Sequence, residues 1–200
     1  MPKLLLATNN KGKLREYKSL LQALPFELVT MAEQGILTEV SEVGESLEEN
    51  ARIKATILAR ESRLLALADD SGLEVDALNG EPGRLSARYA GEGASDRDRV
   101  DYLLAKLEGV PPERRTARFR CVIAISTPEG KVEFCHGECE GFITLEPKGK
   151  NGFGYDPVFY LPQLDRTMAE LSPEVKNRVS HRGKAARQAS RLLKKSKYRL

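Results

Sequence analysis

Asp69 and Asp70 stand side by side behind a short apolar run, Leu64 to Ala68, and ahead of Ser71-Gly72. Two adjacent carboxylates are costly unless a cation neutralises them. Magnesium takes one or two carboxylates together with phosphate oxygens and waters. The competing reading is a turn, because Asp-Ser-Gly is common turn chemistry. Upstream lie Glu39, Glu42, Glu45, Glu48 and Glu49, a run most of which belongs on a solvated face. Lys54, on the same helix as Glu49, is either a phosphate clamp or a surface charge. Like charges repel, so removing either aspartate is expected to leave the melting temperature where it is or raise it.

The second chemical segment is Ala7-Thr8-Asn9-Asn10-Lys11-Gly12-Lys13, between an apolar run and a helical pattern. A helix start presents unpaired N–H groups and a partial positive charge, which suit phosphate. Lys11 and Lys13 add cations, and Thr8, Asn9 and Asn10 offer hydrogen bonds. The plainer alternative is that Asn9 or Asn10 caps the helix while the lysines are solvated. The segment is a near miss for the P-loop, G-x-x-x-x-G-K-[ST]. Ala7 stands where its first Gly belongs and Leu14 where its Ser/Thr belongs, which disfavours a P-loop kinase or ATPase.

In Asn151-Gly152-Phe153-Gly154-Tyr155-Asp156-Pro157 a phenylalanine sits between two glycines. Such a loop either stacks a base on its aromatic, with Asp156 accepting from a ring N–H, or buries Phe153 as a turn anchor. Ser180-His181-Arg182 opens the last helical stretch; no Gly-x-Ser-x-Gly precedes the serine, so a hydrolase triad is set aside. Cys121, Cys135 and Cys139 are odd in number and read as buried, idle thiols. His136 beside Cys135-x3-Cys139 lacks the second ligand pair that a zinc site needs.

The elements that position these residues follow from periodicity. Lys3 to Ala7, Phe26 to Thr30 and Leu64 to Ala68 read as strands, and Arg118 to Ser126 and Lys131 to Leu145 as a long hairpin about Pro128-Glu129-Gly130, with Pro157 to Leu161 as a short strand. Lys11 to Leu24, Ser95 to Leu107 and Arg182 to about Lys195 read as helices. Another opens on the capping box Ser46-Leu47-Glu48-Glu49 and runs to about Ser62. Strands alternating with helices and then a hairpin indicate a mixed α/β sheet. The 200 residues contain no linker and no repeat, so they read as one domain, 1–200. Thirty-two basic residues against 29 acidic ones give a net charge of +3, and no recognised binding motif accompanies the basic stretch Lys184 to Arg199. A nucleic-acid partner is therefore not expected. No stretch approaches the ~18 apolar residues of a membrane span and no signal peptide opens the chain, so a cytoplasmic protein with no membrane partner is expected.

Taken together, these segments resemble the inosine triphosphate pyrophosphatase family, also called the Ham1-like or non-canonical purine NTP pyrophosphatases. The resemblance spans nearly the whole chain. It is carried by Ala7 to Lys13, Glu49-Asn50-Ala51 with Lys54-Ala55, Ala68 to Leu78, Pro82-Gly83, Ser86 to Gly91, Gly152 to Pro157 and Ser180 to Ala185. It implies an elongated mixed α/β sheet flanked by helices, in two lobes with the active-site cleft between them, usually a homodimer. It implies hydrolysis of ITP, dITP or XTP to the monophosphate and pyrophosphate with Mg2+, or Mn2+ in its place. By resemblance, Thr8, Asn9, Asn10, Lys11, Gly12 and Lys13 hold the triphosphate with Lys54 assisting. Asp70 is the proton acceptor and a metal ligand, Glu42 the other acidic ligand, and Ser71 touches substrate. Phe153, Gly154, Tyr155, Asp156, Lys176, His181 and Arg182 form the nucleoside pocket. A donor such as Arg182 facing position 6 favours the oxo bases over adenine, whereas excluding guanine requires a closed wall against its 2-amino group. Two positions depart from the family pattern. Arg84-Leu85 replaces a small apolar residue and Tyr, and Glu45 replaces a usual Gly, which leaves Glu42 and Glu45 both open as the second ligand. A related alternative is a house-cleaning pyrophosphatase acting on modified pyrimidine nucleotides.

Overall fold

The short apolar runs become strands and the amphipathic stretches become helices in a computed structural model that describes residues 1–195; the last residues of the Lys184 to Arg199 basic stretch lie outside the described residues. The strands are β1 (Lys3–Leu6), β2 (Glu27–Thr30), β3 (Leu65–Val75), β4 (Pro82–Gly83), β5 (Thr116–Ser126), β6 (Val132–Ile143), β7 (Phe159–Leu161) and β8 (Arg166–Thr167). The helices are α1 (Lys11–Leu21), α2 (Leu47–Ser62), α3 (Asp96–Lys106), α4 (Pro173–Val179) and α5 (His181–Leu193). Among the described residues the strands form one mixed sheet in the order β2-β1-β3-β5-β6-β7-β8, with β4 paired to β3. Contacts divide the chain into two compact units: Met1–Asp70, Cys121–Gly137 and the segment from Arg182 onward, and Ser71–Arg120 with Glu138–His181.

The first unit is built on parallel pairing of β1 with both β2 and β3. Side chains alternate across a strand, so each sheet face collects every second residue. Leu4, Leu6, Leu67, Cys121, Ile123 and Ile125 form one face and pack with Tyr17 and Leu21 of α1 and with Ala185, Ala186, Ala189 and Leu193 of α5. Leu5, Ala66, Ala68, Val122 and Ala124 form the other face and pack with Ala51, Ala55, Leu58 and Ala59 of α2. Small alanines on both sides of this second contact let the α2 backbone lie close to the sheet.

The second unit has one core, in which Leu73, Val75, Phe119, Ile143, Phe159 and Leu161 from strands meet Val100, Leu103 and Leu107 at α3. Here the pairings β3–β4, β6–β7 and β7–β8 are antiparallel.

Three expectations change. First, β3 does not end at the acidic pair: it is an 11-residue strand with Asp69-Asp70-Ser71-Gly72 in its interior, so the turn reading fails. The strand continues because its later backbone finds partners. Leu73 and Glu74 pair with Gly83 and Pro82, and the Leu73 N–H donates to Ser86 Oγ at 2.8 Å. Gly72 is needed there, since a Cβ would lie 2.3 Å from the Gly83 carbonyl oxygen. Second, the capping box at α2 is half made. Ser46 Oγ accepts from the Glu49 N–H at 3.1 Å, but the Glu49 carboxylate reaches one residue further back, to the Glu45 N–H at 2.9 Å. Third, α4 has no counterpart in the sequence reading. All three thiols are buried as expected.

Candidate active site

In the first unit the phosphate-type loop leaves β1 where β3 continues past it. The Ala7 N–H donates to the Leu67 carbonyl at 2.8 Å, which sets Asp69 and Asp70 beyond the end of β1. Asn10 is the N-cap of α1: its Oδ1 accepts from the Lys13 N–H at 3.0 Å, and its own N–H donates to Thr8 Oγ1 at 3.2 Å. Capping and the basic loop therefore coexist. Thr8 and Gly12 are half-buried, and Asn9, Asn10 and Lys11 are exposed to solvent.

Asp69 and Asp70 are consecutive strand residues, so they point to opposite faces of the sheet. Asp69 falls on the face of Leu67 and Cys121, beneath α1 and α5. Its Oδ2 lies 3.0 Å from Lys13 Nζ and 3.6 Å from Arg182 Nε, and it accepts from the Cys121 thiol at 3.8 Å. Arg182 Nη1 also donates to Glu16 Oε2 at 2.8 Å, and Tyr17 OH lies 3.8 Å from Cys121 Sγ. Burial alone raises the Asp69 carboxyl pKa. The Lys13 ammonium and the Arg182 guanidinium, with Lys54 farther off, outweigh it and hold Asp69 well below the usual carboxylate range.

Asp70 falls on the other face, over α2. Its Oδ2 accepts from Asn50 Nδ2 at 3.0 Å and its Oδ1 lies 3.7 Å from Lys54 Nζ. Lys54 also donates to Glu42 Oε1 at 2.9 Å and to the Asp69 backbone carbonyl at 2.7 Å. Lys54 is therefore not a surface charge; it is the cation that joins the two acidic positions. Burial pushes Asp70 above its ordinary value; Lys54 and Lys13 oppose this, the Glu42 charge adds to it, and the Asn50 hydrogen bond opposes it. Burial works against the Lys54 ammonium, but Asp70, Asp69 and Glu42 outweigh it and raise its proton affinity. Glu45 is exposed and its backbone N–H is committed to Glu49.

The second unit carries the aromatic loop. Asp156 is 3% exposed, and its Oδ2 accepts from the Phe153 N–H at 2.9 Å and from the buried ammonium of Lys176. The same ammonium stands 4.7 Å from the Phe153 ring centroid. Gly152 has φ +75°, and a Cβ there would meet Asp156 Oδ2 at 2.0 Å, so this corner admits only glycine. The Gly154 N–H donates to Asp96 Oδ2 at 2.7 Å, and the buried Tyr155 hydroxyl donates to the Ser86 carbonyl at 2.8 Å. His181 stacks on Phe119 with centroids 4.6 Å apart and planes 12° apart. Ser71 is half-buried on β3 in this unit.

The structure thus gathers Lys13, Glu42, Lys54, Asp70 and Arg182 in the first unit, and Phe153, Asp156 and Lys176 in the second. Arg182, expected at the base, has its guanidinium against Glu16 and Asp69. Glu16, Asn50 and Asp96 were not singled out as site residues from sequence. Asn50 alone left a signal, as a poor helix former inside an otherwise alanine-rich buried face.

Together these features define an α/β protein that pairs a basic helix-start loop with two buried carboxylates. The Ham1 family profile matches residues 4–192. The chain is 53% identical over 191 residues to the dITP/XTP pyrophosphatase of Desulforamulus reducens, covering 96% of this chain and 95% of that protein. It is 52% identical to the dITP/XTP pyrophosphatase of Geobacter sulfurreducens, covering 92% and 93%. A solved HAM1 protein from Coxiella burnetii superposes with a TM-score of 0.87 at 45% identity, covering 96% of this chain and 98% of that one. The chain belongs to the Ham1 family.

Proposed function

We infer that this chain hydrolyses non-canonical purine nucleoside triphosphates (ITP, dITP and XTP) to the monophosphate and pyrophosphate. The observation that carries the reading is the sorting at β3: a basic loop bonded to Asp69 on one face, and a partly protected carboxylate, Asp70, on the other. Relatives named dITP/XTP pyrophosphatase over nearly their whole length support the substrate class.

The Thr8 to Lys13 loop binds the triphosphate through backbone N–H groups and the Lys13 ammonium, which also offsets charge as the leaving group departs. Water attacks the α-phosphorus. Asp70, held at Oδ2 by Asn50, takes the proton at Oδ1. Its raised proton affinity suits a general base. Phe153 stacks the base. The buried ammonium of Lys176 beside it is a donor that matches a 6-oxo acceptor and mismatches the 6-amino group of adenine.

The donors fit a magnesium ion. Glu42 and Asp70 are hard oxygen ligands already drawn to one cation, the Lys54 ammonium at 2.9 and 3.7 Å. Two carboxylates are what magnesium takes when phosphate oxygens and waters complete its shell. Glu42, rather than Glu45, is the second ligand because it alone of the two faces Lys54 together with Asp70. When bound, Mg2+, or Mn2+ in its place, neutralises charge on the triphosphate.

A cytoplasmic homodimer completes the reading; among the described residues no helix is long and apolar enough to cross a membrane. The test is chromatography of the nucleotide product from ITP, with and without exhaustive chelation. Inosine monophosphate that forms only with metal present is expected. Accumulation of inosine diphosphate refutes the bond assignment, and activity that survives chelation refutes the metal.

A further inference from the structure

Asn50 is 1% exposed and lies in the second turn of α2, where its backbone N–H makes the bond to the Ser46 carbonyl at 3.1 Å. Asparagine is a poor choice for a helix interior, since its amide competes with the backbone. A buried amide also has to find partners at both ends. Here it does. Oδ1 accepts from the Gly44 N–H at 2.8 Å, and Nδ2 donates to Asp70 Oδ2 at 3.0 Å. The orientation of the amide is unambiguous, because a backbone N–H only donates and a carboxylate only accepts.

Gly44 is fitted to this contact. A Cβ on it would lie 2.7 Å from Asn50 Oδ1 and 2.9 Å from Glu49 Cγ. The next residue, Glu45, is docked by its N–H on the Glu49 carboxylate at 2.9 Å. Two successive N–H groups thus seat the loop that carries Glu42 on the first turns of α2, and one of those seats is the same amide that grips Asp70.

We propose that Asn50 is a positioning residue that fixes the Glu42 loop and the Asp70 carboxylate relative to each other, and so sets the spacing of the oxygen pair that receives the divalent cation. It touches neither substrate nor cation. The proposal rests on the reading of Glu42 and Asp70 as the metal ligands. Groups that orient metal ligands in this way typically contribute ~10–100-fold to metal affinity. A lost amide shifts both carboxylates together, whereas loss of either ligand removes only one.

The test is a titration of the folded protein with Mn2+ alone, reading free Mn2+ by electron paramagnetic resonance, for the parent, Asn50→Ala, Gly44→Ala and the double variant. Each single change is expected to raise the Mn2+ dissociation constant by ~10–100-fold. The double variant is expected to show less than the product of the two effects, because both break one link. Turnover of ITP is expected to fall while KM changes little, since the triphosphate loop is untouched. Gly44→Ala leaves the asparagine in place and keeps the test decisive if Asn50→Ala does not fold. A folded variant with a lowered melting temperature but parental Mn2+ affinity overturns the proposal and makes Asn50 a packing residue. A parent that binds no Mn2+ overturns the metal reading and this proposal with it, whereas a binding parent with equally tight variants overturns this proposal alone.

Discussion

Replacing Asp69 by Asn and Asp70 by Asn removes the same charge from neighbouring positions, yet the structure assigns the two changes opposite effects on stability. Asp69 is 2% exposed and compensates Lys13 at 3.0 Å and Arg182 at 3.6 Å. Removing one partner of a buried ion pair costs ~3–5 kcal/mol because the other charge is left uncompensated. The lower end applies, since Arg182 keeps Glu16 at 2.8 Å and the Lys13 side chain, 14% exposed, can turn toward water. For a chain of 200 residues each kcal/mol moves the melting temperature by ~2–4 °C, so Asp69→Asn is expected to melt ~6–12 °C below the parent. Asp70 is ionised against the penalty of burial, so Asp70→Asn is expected to melt with the parent or above it. The pH dependence has a definite sign. The Asp69 carboxyl is held below its unfolded value, so its contribution is complete above pH ~4 and drains away as pH falls toward the folded value. The deficit of Asp69→Asn should therefore be full at pH 7 and narrow below pH ~4. Calorimetric melting of the three proteins from pH 3 to pH 8 checks this. Equal losses in both variants, or a deficit in Asp69→Asn that does not change with pH, would refute the assignment of partners, whereas melting at or above the parent in both variants would restore the simple repulsion expected from two adjacent acids.

In turnover the order reverses: Asp70→Asn is expected to lose ~10²–10⁴-fold in kcat, the contribution of a positioned base, and near-parental turnover in steady-state assays would remove Asp70 from the chemistry. Phe153→Ala is expected to weaken ITP binding by ~1–3 kcal/mol, a loss of stacking read as KM; an unchanged KM in a folded variant makes Phe153 a loop anchor. Burial pushes the Cys121 thiol up to about 12, with the Asp69 charge adding, and burial pushes Cys135 up to about 11. Ellman's reagent at pH 8 is therefore expected to label neither in the native protein and all three thiols after denaturation, and fast native labelling of Cys121 would contradict the cluster around Asp69.

Long amphipathic stretches and apolar runs were legible in the sequence because their signal is local. The stripes through Leu14, Tyr17 and Leu21 in α1 and through Val100, Leu103 and Leu107 at α3 needed no partner to be recognised. The basic loop and the glycine-flanked Phe153 were legible for the same reason. The acidic pair was not, because whether Asp69-Asp70 turns or continues as strand depends on Pro82, Gly83 and Ser86, which pair the later part of β3, and its charge is balanced by Lys13, Lys54 and Arg182 from three different helices. The pairing of Asp156 with Lys176 was hidden likewise, since its ammonium comes from α4, whose seven residues are too few to show a period. The half-made capping box at Glu49 shows the limit of spacing rules: the carboxylate took the Glu45 N–H of the docked loop instead of the Ser46 N–H that the box requires.

The alternation along β3 also makes chain length an element of the site. Inserting a single residue between Leu65 and Asp69 would exchange the faces of everything beyond it. The carboxylate that balances Lys13 and Arg182 would then lie over α2, and its neighbour would lie beneath α1 and α5. The fault would lie in place rather than in type, because Asp69 would take the place of Asp70 and Ala68 that of Asp69, so that Lys13 and Arg182 would face an alanine. An insertion of two residues restores the parity while displacing both groups along the strand. Strand parity, which no single side chain encodes, is therefore as much a requirement of this protein as the identity of either acid.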